Sequence, residues 1–586
     1  MRILNFCFLL GCIPALADVS QKDFDECKRK AESGDVNAQH SLGRYYYNGE
    51  GTKKDPAEAL IWFRKAAEQG DPASQGNLGL YYLNGEFVIK DPIEGVKWIR
   101  KAVEQGESRS QFMLGLCYIN GDGVAKDLTE GVKWIRKSAE QGDAQGQYSL
   151  GLGYLNGDII AKDQTEGVKW IRKAADQGLA PAQYTLGISY FNGYGITKDL
   201  AEGVNWFRKA ADLGDAQAQY NIGLCYHNGL AIAKDLAEAV KWIRKAAEQG
   251  LAQAQYSLGL CYLNGDGVVK DQTEGVKWIR KSADQGLAPA QYSLGACYGN
   301  GTGVTKDLSE SIKLFQKSAD QGDLQAQFYL GLCYVNGNGV VQNQTEGVKW
   351  IRKSADQGFA LAQYTLGGCY YMGYGVSKDL TEAFKWTHKA ADLGDAQAQS
   401  ALGKYYQSGE GVTKDLSEAF KWFRKAADQG YAFAQGMIGN CYRSGEGVTR
   451  DTTEAAKWYL KAATNGDAMS QYNLGICYTK GYCVIKDPVE GVKWYRKAAE
   501  QGTAEAQLNL SICYWDGEGA LKDQVEAYAY CNLAGVSLEQ ARTNLRKLEK
   551  QMTASQIEAG QRRSKELQKE IEASKSEKGL KNPLHD

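Results

Sequence analysis

The sequence predicts an all-α protein, a solenoid of antiparallel helix hairpins made of fourteen 36-residue units. Trp recurs at 62, 98, 134, 170, 206, 242 and 278, then at 350, 386, 422, 458 and 494. Every step is 36 residues except one double step, where Leu314 takes the Trp place; Tyr530 takes it in the last unit. A constant period of this length marks a stacked-repeat architecture. Two further places repeat in register. That of Gly259 is Gly in thirteen units and Ser511 in the fourteenth, and that of Tyr262 is Tyr in all fourteen, from Tyr46 to Tyr514.

One unit, Leu251 to Gly286, justifies each element. Ala252 to Asn264 is predicted as a first helix, with Ala254, Leu258 and Tyr262 on an i, i+4, i+8 stripe beside Gly259. A helical Gly costs about 1 kcal/mol relative to Ala, so its recurrence implies close approach of a partner helix. Asn264-Gly265 reads as the carboxy-terminal cap. Gln272 to Gln285 is predicted as the second helix. Asp271 stands three residues before Glu274, a capping-box spacing, and Pro56, Pro92 and Pro488 fall where a first helical residue needs no N–H. Val276, Trp278, Ile279 and Ala283 form its apolar face, and Lys and Arg near its end suit the helix dipole. A single hairpin cannot bury both faces, so neighbours must stack.

The repeated pattern Ala-x-Ala-Gln-x-x-Leu-Gly-x-x-Tyr-x-x-Gly-x-Gly-Val-x-Lys-Asp-x-x-Glu-x-x-x-Trp-x-x-Lys-Ala-Ala-x-x-Gly resembles the Sel-one-like repeat (SLR), a relative of the tetratricopeptide repeat. The resemblance covers about residues 35 to 535. It implies a right-handed superhelical scaffold that binds other proteins.

Sixty-nine basic against seventy acidic residues leave no net field for nucleic acid or an anionic membrane. No run of eighteen apolar residues exists, so no spanning helix is expected. Residues 1–17 read as a secretory signal peptide, with Arg2, an apolar run Ile3 to Leu10, and Ala15-Leu16-Ala17 before Asp18. The alternative is a lipoprotein signal, Leu9-Leu10-Gly11-Cys12, with a lipid anchor at Cys12. Residues 18–34 form a capping half-repeat, 35–535 the solenoid, 536–573 capping helices and 574–586 a charged, disordered tail. The capping helices are placed at Leu538 to Gln551, behind a Ser537–Gln540 capping-box spacing, and from a Thr553–Gln556 spacing to about Ala573.

Nine of the fourteen Cys share one first-helix place: 117, 225, 261, 297, 333, 369, 441, 477 and 513. Adjacent copies lie about 10 Å apart at ordinary helix packing distances, beyond disulfide reach, so they read as small apolar core residues. Unpaired thiols sit uneasily with export. The four His share no ligand spacing, and no metal or cofactor is expected. No Ser-x-x-Lys, Gly-x-Ser-x-Gly or His-Glu-x-x-His motif occurs.

Function is therefore placed on a surface. The free face of the first helices holds the places of Gln253, Tyr256, Leu260 and Leu263, and the likeness to tetratricopeptide repeats implies that this face takes ligands. The Tyr256 place is an aromatic run: Tyr148, Tyr184, Tyr220, Tyr256, Tyr292, Phe328 and Tyr364. The Leu263 place varies, with Tyr47, Phe191, His227, Gly299, Arg443 and Trp515. Two readings stay open for the run, a protein-binding row in a groove or rings packed on the adjacent helix. An Asn row from Asn48 to Asn336, broken at Met372, reads as helix caps or as a peptide-backbone clamp. In the last five units these places carry Met372, Ser400, Ser408, Gly436, Ser444 and Lys480. The expected function is a non-catalytic, exported scaffold binding one or more proteins. The alternatives are a cell-envelope or glycan-binding protein and, with less support, a β-lactamase-like hydrolase.

Overall fold

The computed structural model describes residues 19–482 and 484–580, with side chains as far as Ser574. The signal peptide, Cys12, Cys483 and residues 581–586 lie outside the described residues. Thirty-one α-helices follow one another in hairpin pairs, and no strand occurs among the described residues. The backbone forms two compact units. One runs to Ala290 and takes in Thr302–Thr305; the other holds Gln291–Gly301 and Lys306 onward. Repeats are numbered here from 36–71 as the first, so that 252–287 is the seventh.

In the first unit the seventh repeat shows why the hairpin forms. Its helices are Ala252–Asn264 and Gln272–Asp284. Gly265 closes the first helix in the left-handed region, at φ +86°. A Cβ built on Gly259 would stand 2.5 Å from Ile279 Cγ1 and 2.8 Å from the Gly275 carbonyl oxygen. Only a bare backbone admits the second helix this closely. Ser511 turns the same proximity into a bond, its hydroxyl donating to the Ala527 carbonyl at 2.7 Å.

Asp271 caps the second helix by accepting from the Glu274 N–H at 2.9 Å. The reciprocal half of the expected capping box does not form. Glu274 reaches forward to Lys277 Nζ at 3.1 Å, because a cation one turn on is a stronger partner for a carboxylate than a neutral N–H. Closed boxes do occur at Ser20 with Asp23 and at Thr553 with Gln556.

Two seams join consecutive repeats. Gln255 is buried, and its amide donates to the Ala247 carbonyl of the preceding repeat at 3.1 Å. Gln285 then donates to Gln255 Oε1 at 2.7 Å and to the Gly250 carbonyl at 2.9 Å. The second unit repeats this seam with Gln399, Ala391, Gln429 and Gly394. The Gln255 place is Gln in all fourteen repeats, since a buried amide left without partners is costly. The Tyr262 hydroxyl accepts from Arg244 Nη2 at 2.8 Å across the other seam, as Tyr514 does from Arg496 at 2.7 Å in the second unit. Core clusters follow the same logic, the second helix of one repeat packing on the first helix of the next. Val240, Ile243, Ala247, Leu258 and Cys261 form one cluster, and Val348, Ile351, Leu366 and Cys369 another.

At the amino-terminal end the helix Gln21–Glu32 buries Phe24 and Ala31 against Leu42 and Trp62. Toward the other end Leu567 and Ile571 are buried with Tyr530 and Leu533, and Arg563 Nε lies 2.9 Å from Glu526 Oε1. The helix Glu539–Glu549 is capped by Leu538 without a side-chain bond, so the Ser537–Gln540 spacing forms no box. The last helix, Ala554–Leu580, passes Ser574, where disorder was expected to begin. The charged run contains no helix-breaking residue before Gly579 and Pro583, and charge alone does not end a helix.

Candidate binding face of the first helices

In the first unit the aromatic row is a seam between neighbouring first helices. Tyr148, Tyr184 and Tyr220 are half-buried. The Tyr148 hydroxyl is 3.3 Å from Thr185 Oγ1 and the Tyr220 hydroxyl 3.0 Å from Ser257 Oγ, while the Tyr184 hydroxyl accepts from Asn221 Nδ2 at 3.3 Å. Each partner stands in the next repeat, one residue past the aromatic place. Burial holds the Tyr148 and Tyr184 phenols above their ordinary pKa. Phe191 and Tyr184 pack on Phe207 with ring centroids 5.9 and 5.7 Å away. Tyr256 and Leu263 are also half-buried, and Leu263 lies against Gly275 of its own repeat. His40 takes the aromatic place in the first repeat, its Nδ1 2.9 Å from Ser74 Oγ and 3.2 Å from Asp71 Oδ2.

In the second unit the row changes character. Tyr292 stacks on Phe315 and on Tyr329, both with ring centroids 5.7 Å away. Phe328 is packed, the second of the two arrangements open for the row. It is 3% exposed and set edge-on to Tyr329 and Phe359, because without a hydroxyl it has no reason to stay near water. Ala401 stands where the partners of Tyr148, Tyr184 and Tyr220 are Thr185, Asn221 and Ser257, and the Tyr364 hydroxyl makes no hydrogen bond among the described residues.

A cavity of about 960 Å³ opens here, on the first helices of repeats nine to eleven. Its lining includes Phe328, Leu332, Leu361, Tyr364, Tyr371 and Met372 from repeats nine and ten and Ala401, Lys404 and Tyr405 from repeat eleven. These fall largely at the places left free by the helical period. The cavity exists because Gly368 stands where repeats four to seven carry Leu152, Ile188, Leu224 and Leu260. A Cβ at Gly368 would meet nothing within 4 Å. Met372, which breaks the Asn row, is 58% exposed, and Tyr374 is 48% exposed.

Lys404 and Glu410 bring charge to the cavity, and Glu446 lies beside it against Gln407. Tyr371 donates its hydroxyl to Glu410 Oε2 at 3.2 Å, and this bond raises the Tyr371 pKa. Gln407 Nε2 donates to Glu446 Oε2 at 3.1 Å. Neither carboxylate joins an ion pair among the described residues. Lys404 Nζ sits 4.3 Å from the centroid of the Phe433 ring. Burial pushes the Tyr405 phenol up to about 12.

The repeated cysteines are free thiols, buried except for half-buried Cys333. Burial pushes Cys225, Cys261 and Cys369 up to about 11 and Cys117 to about 12. Such thiols carry almost no thiolate at neutral pH and are poor nucleophiles. Among the described residues no group of three His, Cys, Asp or Glu is placed to hold a metal ion, and no helix is long and apolar enough to cross a membrane.

Consecutive two-helix hairpins, each packed on the next, define an all-helical repeat protein. The chain belongs to the Sel1 repeat family, whose repeat it matches in fourteen consecutive segments from 36–71 to 504–535. It is similar to c5321, a protective antigen of uropathogenic Escherichia coli strains with an SLR fold, at 36% identity and a TM-score of 0.61 over 78% of this chain and 97% of that one. A Sel1 repeat protein from Oxalobacter formigenes is similar at 29% identity and a TM-score of 0.39, over 56% of this chain and 99% of that one. In sequence, 64 residues are 42% identical to the secretory immunoglobulin A-binding protein EsiB of Escherichia coli O6:H1. That match spans 11% of this chain and only 12% of EsiB's length.

Proposed function

We propose that this chain is an exported scaffold without chemistry of its own, holding partner proteins against the free face of its first helices. The observation that carries this reading is the aromatic and methionine-lined cavity formed by three consecutive repeats at the places the period leaves free. Cavities of this size and lining are typical of ligand sites, and aromatic side chains give large contact area at low entropic cost. A partner that is a protein agrees with the name of EsiB, an immunoglobulin-binding relative. Export rests on the amino-terminal pattern of Arg2, the apolar run and Ala15-Leu16-Ala17. The raised thiol pKa values ease the conflict between export and many unpaired cysteines.

The test is capture by the purified chain from Asp18 onward, alongside mass spectrometry of the native amino terminus. Recovery of a defined protein at stoichiometric yield, with Asp18 as first residue, is the expected result. Retention on isolated cell wall with no protein recovered points instead to glycan binding. A diacylglyceryl group on Cys12 replaces a released protein with an anchored one.

A further inference from the structure

The cavity of repeats nine to eleven has a definite chemistry, and we propose that it receives a bulky apolar side chain of a peptide segment in which Lys or Arg stands next to that residue. This rests on the protein-binding reading above and names the partner motif.

Three observations converge. First, there is room made by a single residue: Gly368 leaves open space where Leu or Ile fills the same place in repeats four to seven. Second, the walls are apolar but not sealed. Leu332, Leu361 and Met372 offer hydrocarbon and thioether, and the Tyr364 hydroxyl makes no hydrogen bond among the described residues. A buried side chain with a ring or a branched chain satisfies the walls, and the segment's own peptide groups can satisfy the hydroxyl. Third, the charge at the cavity asks for a cation. Glu410 and Glu446 occupy the same place in consecutive repeats. Each is held by a neutral donor, Tyr371 or Gln407. The nearby ammonium of Lys404 is engaged on the Phe433 ring and pairs with neither. Lys378 Nζ stands over the Tyr371 ring, 5.7 Å from its centroid, and likewise pairs with neither. Two carboxylates that join no ion pair among the described residues favour a basic neighbour and repel an acidic one. Successive first helices are about 10 Å apart at ordinary packing distances, which about three residues of extended chain span. One segment can therefore fill the cavity and reach the carboxylates.

The test is fluorescence anisotropy of the full chain with labelled synthetic peptides of about twelve residues. Their central residue is Trp, Leu, Ala or Ser, and its neighbours are Lys, Gln or Glu. Burial of one large apolar side chain predicts that Trp- and Leu-centred peptides bind at least about tenfold tighter than Ser-centred ones. Lys flanks should bind tighter than Gln, and Glu flanks weakest, with the preference shrinking as salt rises. Gly368→Leu starts from a Cβ position with nothing within 4 Å, puts its side chain into the cavity and should abolish binding. Circular dichroism of that variant verifies that the helices remain. The double substitution Glu410→Gln with Glu446→Gln should erase the difference between Lys and Gln flanks and keep the apolar preference.

Equal binding of Ser- and Trp-centred peptides, or unchanged binding by Gly368→Leu, overturns the proposal. So does binding of free N-acetyltryptophanamide with no peptide bound, which points to a small-molecule site. A protein partner captured equally by the native chain and by Gly368→Leu overturns the pocket and leaves the scaffold reading standing. Absence of any protein or peptide binding removes both.

Discussion

In repeats four to seven the place of Leu260 is filled by Leu152, Ile188, Leu224 and Leu260, and Tyr148, Tyr184 and Tyr220 are tied by their hydroxyls to the next first helix. In repeats nine to eleven the same place holds Leu332, Gly368 and Lys404, and Tyr364 faces an alanine. The hairpins are alike in both regions: the caps, the bare glycine at the helix crossing and the glutamine seam are all retained. The difference teaches that the free face is not needed to hold a repeat together. Its positions can lose a side chain, and the result is a cavity rather than a collapsed hairpin. Stability and recognition are carried by different places of one repeat.

This separation can be broken most sharply at two adjacent glycines. Gly367, at the helix crossing, would bring a Cβ within 2.6 Å of Thr387 Oγ1, whereas a Cβ on Gly368 would meet nothing. Gly367→Leu, like Gly259→Leu in the sealed region, should cost about 3 kcal/mol of local stability or more through overpacking. Long repeat arrays do not unfold in one step, so the quantity to measure is the opening free energy of first-helix amides by native-state hydrogen exchange. A loss at Gly259→Leu no larger than at Gly368→Leu would sink the comparison.

The glutamine seam should be equally important in both regions. Gln255→Ala and Gln399→Ala each remove a buried amide's bond to a carbonyl and one of the bonds of an exposed second amide, which keeps its bond to Gly250 or Gly394, for a cost of about 1 kcal/mol apiece. Local exchange or limited proteolysis reads it, and unequal losses would mean that the two regions differ in more than their free face. Gly368→Ala should have the opposite sign, stabilising its helix by up to about 1 kcal/mol, seen as slower exchange in Ala360–Met372. The smallest effect sharpens the comparison further. Tyr148→Phe should cost about 1 kcal/mol by removing a bonded hydroxyl, while Tyr364→Phe should leave stability unchanged. Equal losses would show that the Tyr364 hydroxyl is tied after all.

Much of the fold was legible in the sequence because the hairpin is a local object. Asp271 caps residues next to it, Gly265 takes the left-handed cap, and Gly259 recurs where a Cβ would strike Ile279. The forward turn of Glu274 was not legible, since the spacing permits a capping box equally well and the choice depends on the side chain at Lys277. The seam role of Gln255 was hidden because a buried polar residue interrupts an apolar stripe instead of extending it. The aromatic row was read as a row, but not which rings are tied and which are open.

Period, helix boundaries and caps were determined by the sequence itself, because the groups that satisfy one another there lie within a few residues. The tertiary structure alone decided the state of the free face. The Tyr148 hydroxyl meets Thr185, 37 residues on, Tyr371 meets Glu410, 39 residues on, and Gln285 meets Gln255, 30 residues back. A ring is sealed or exposed according to what the next repeat sets opposite it. The cavity at Gly368 therefore exists only once Ala401 and Lys404 have been packed beside it.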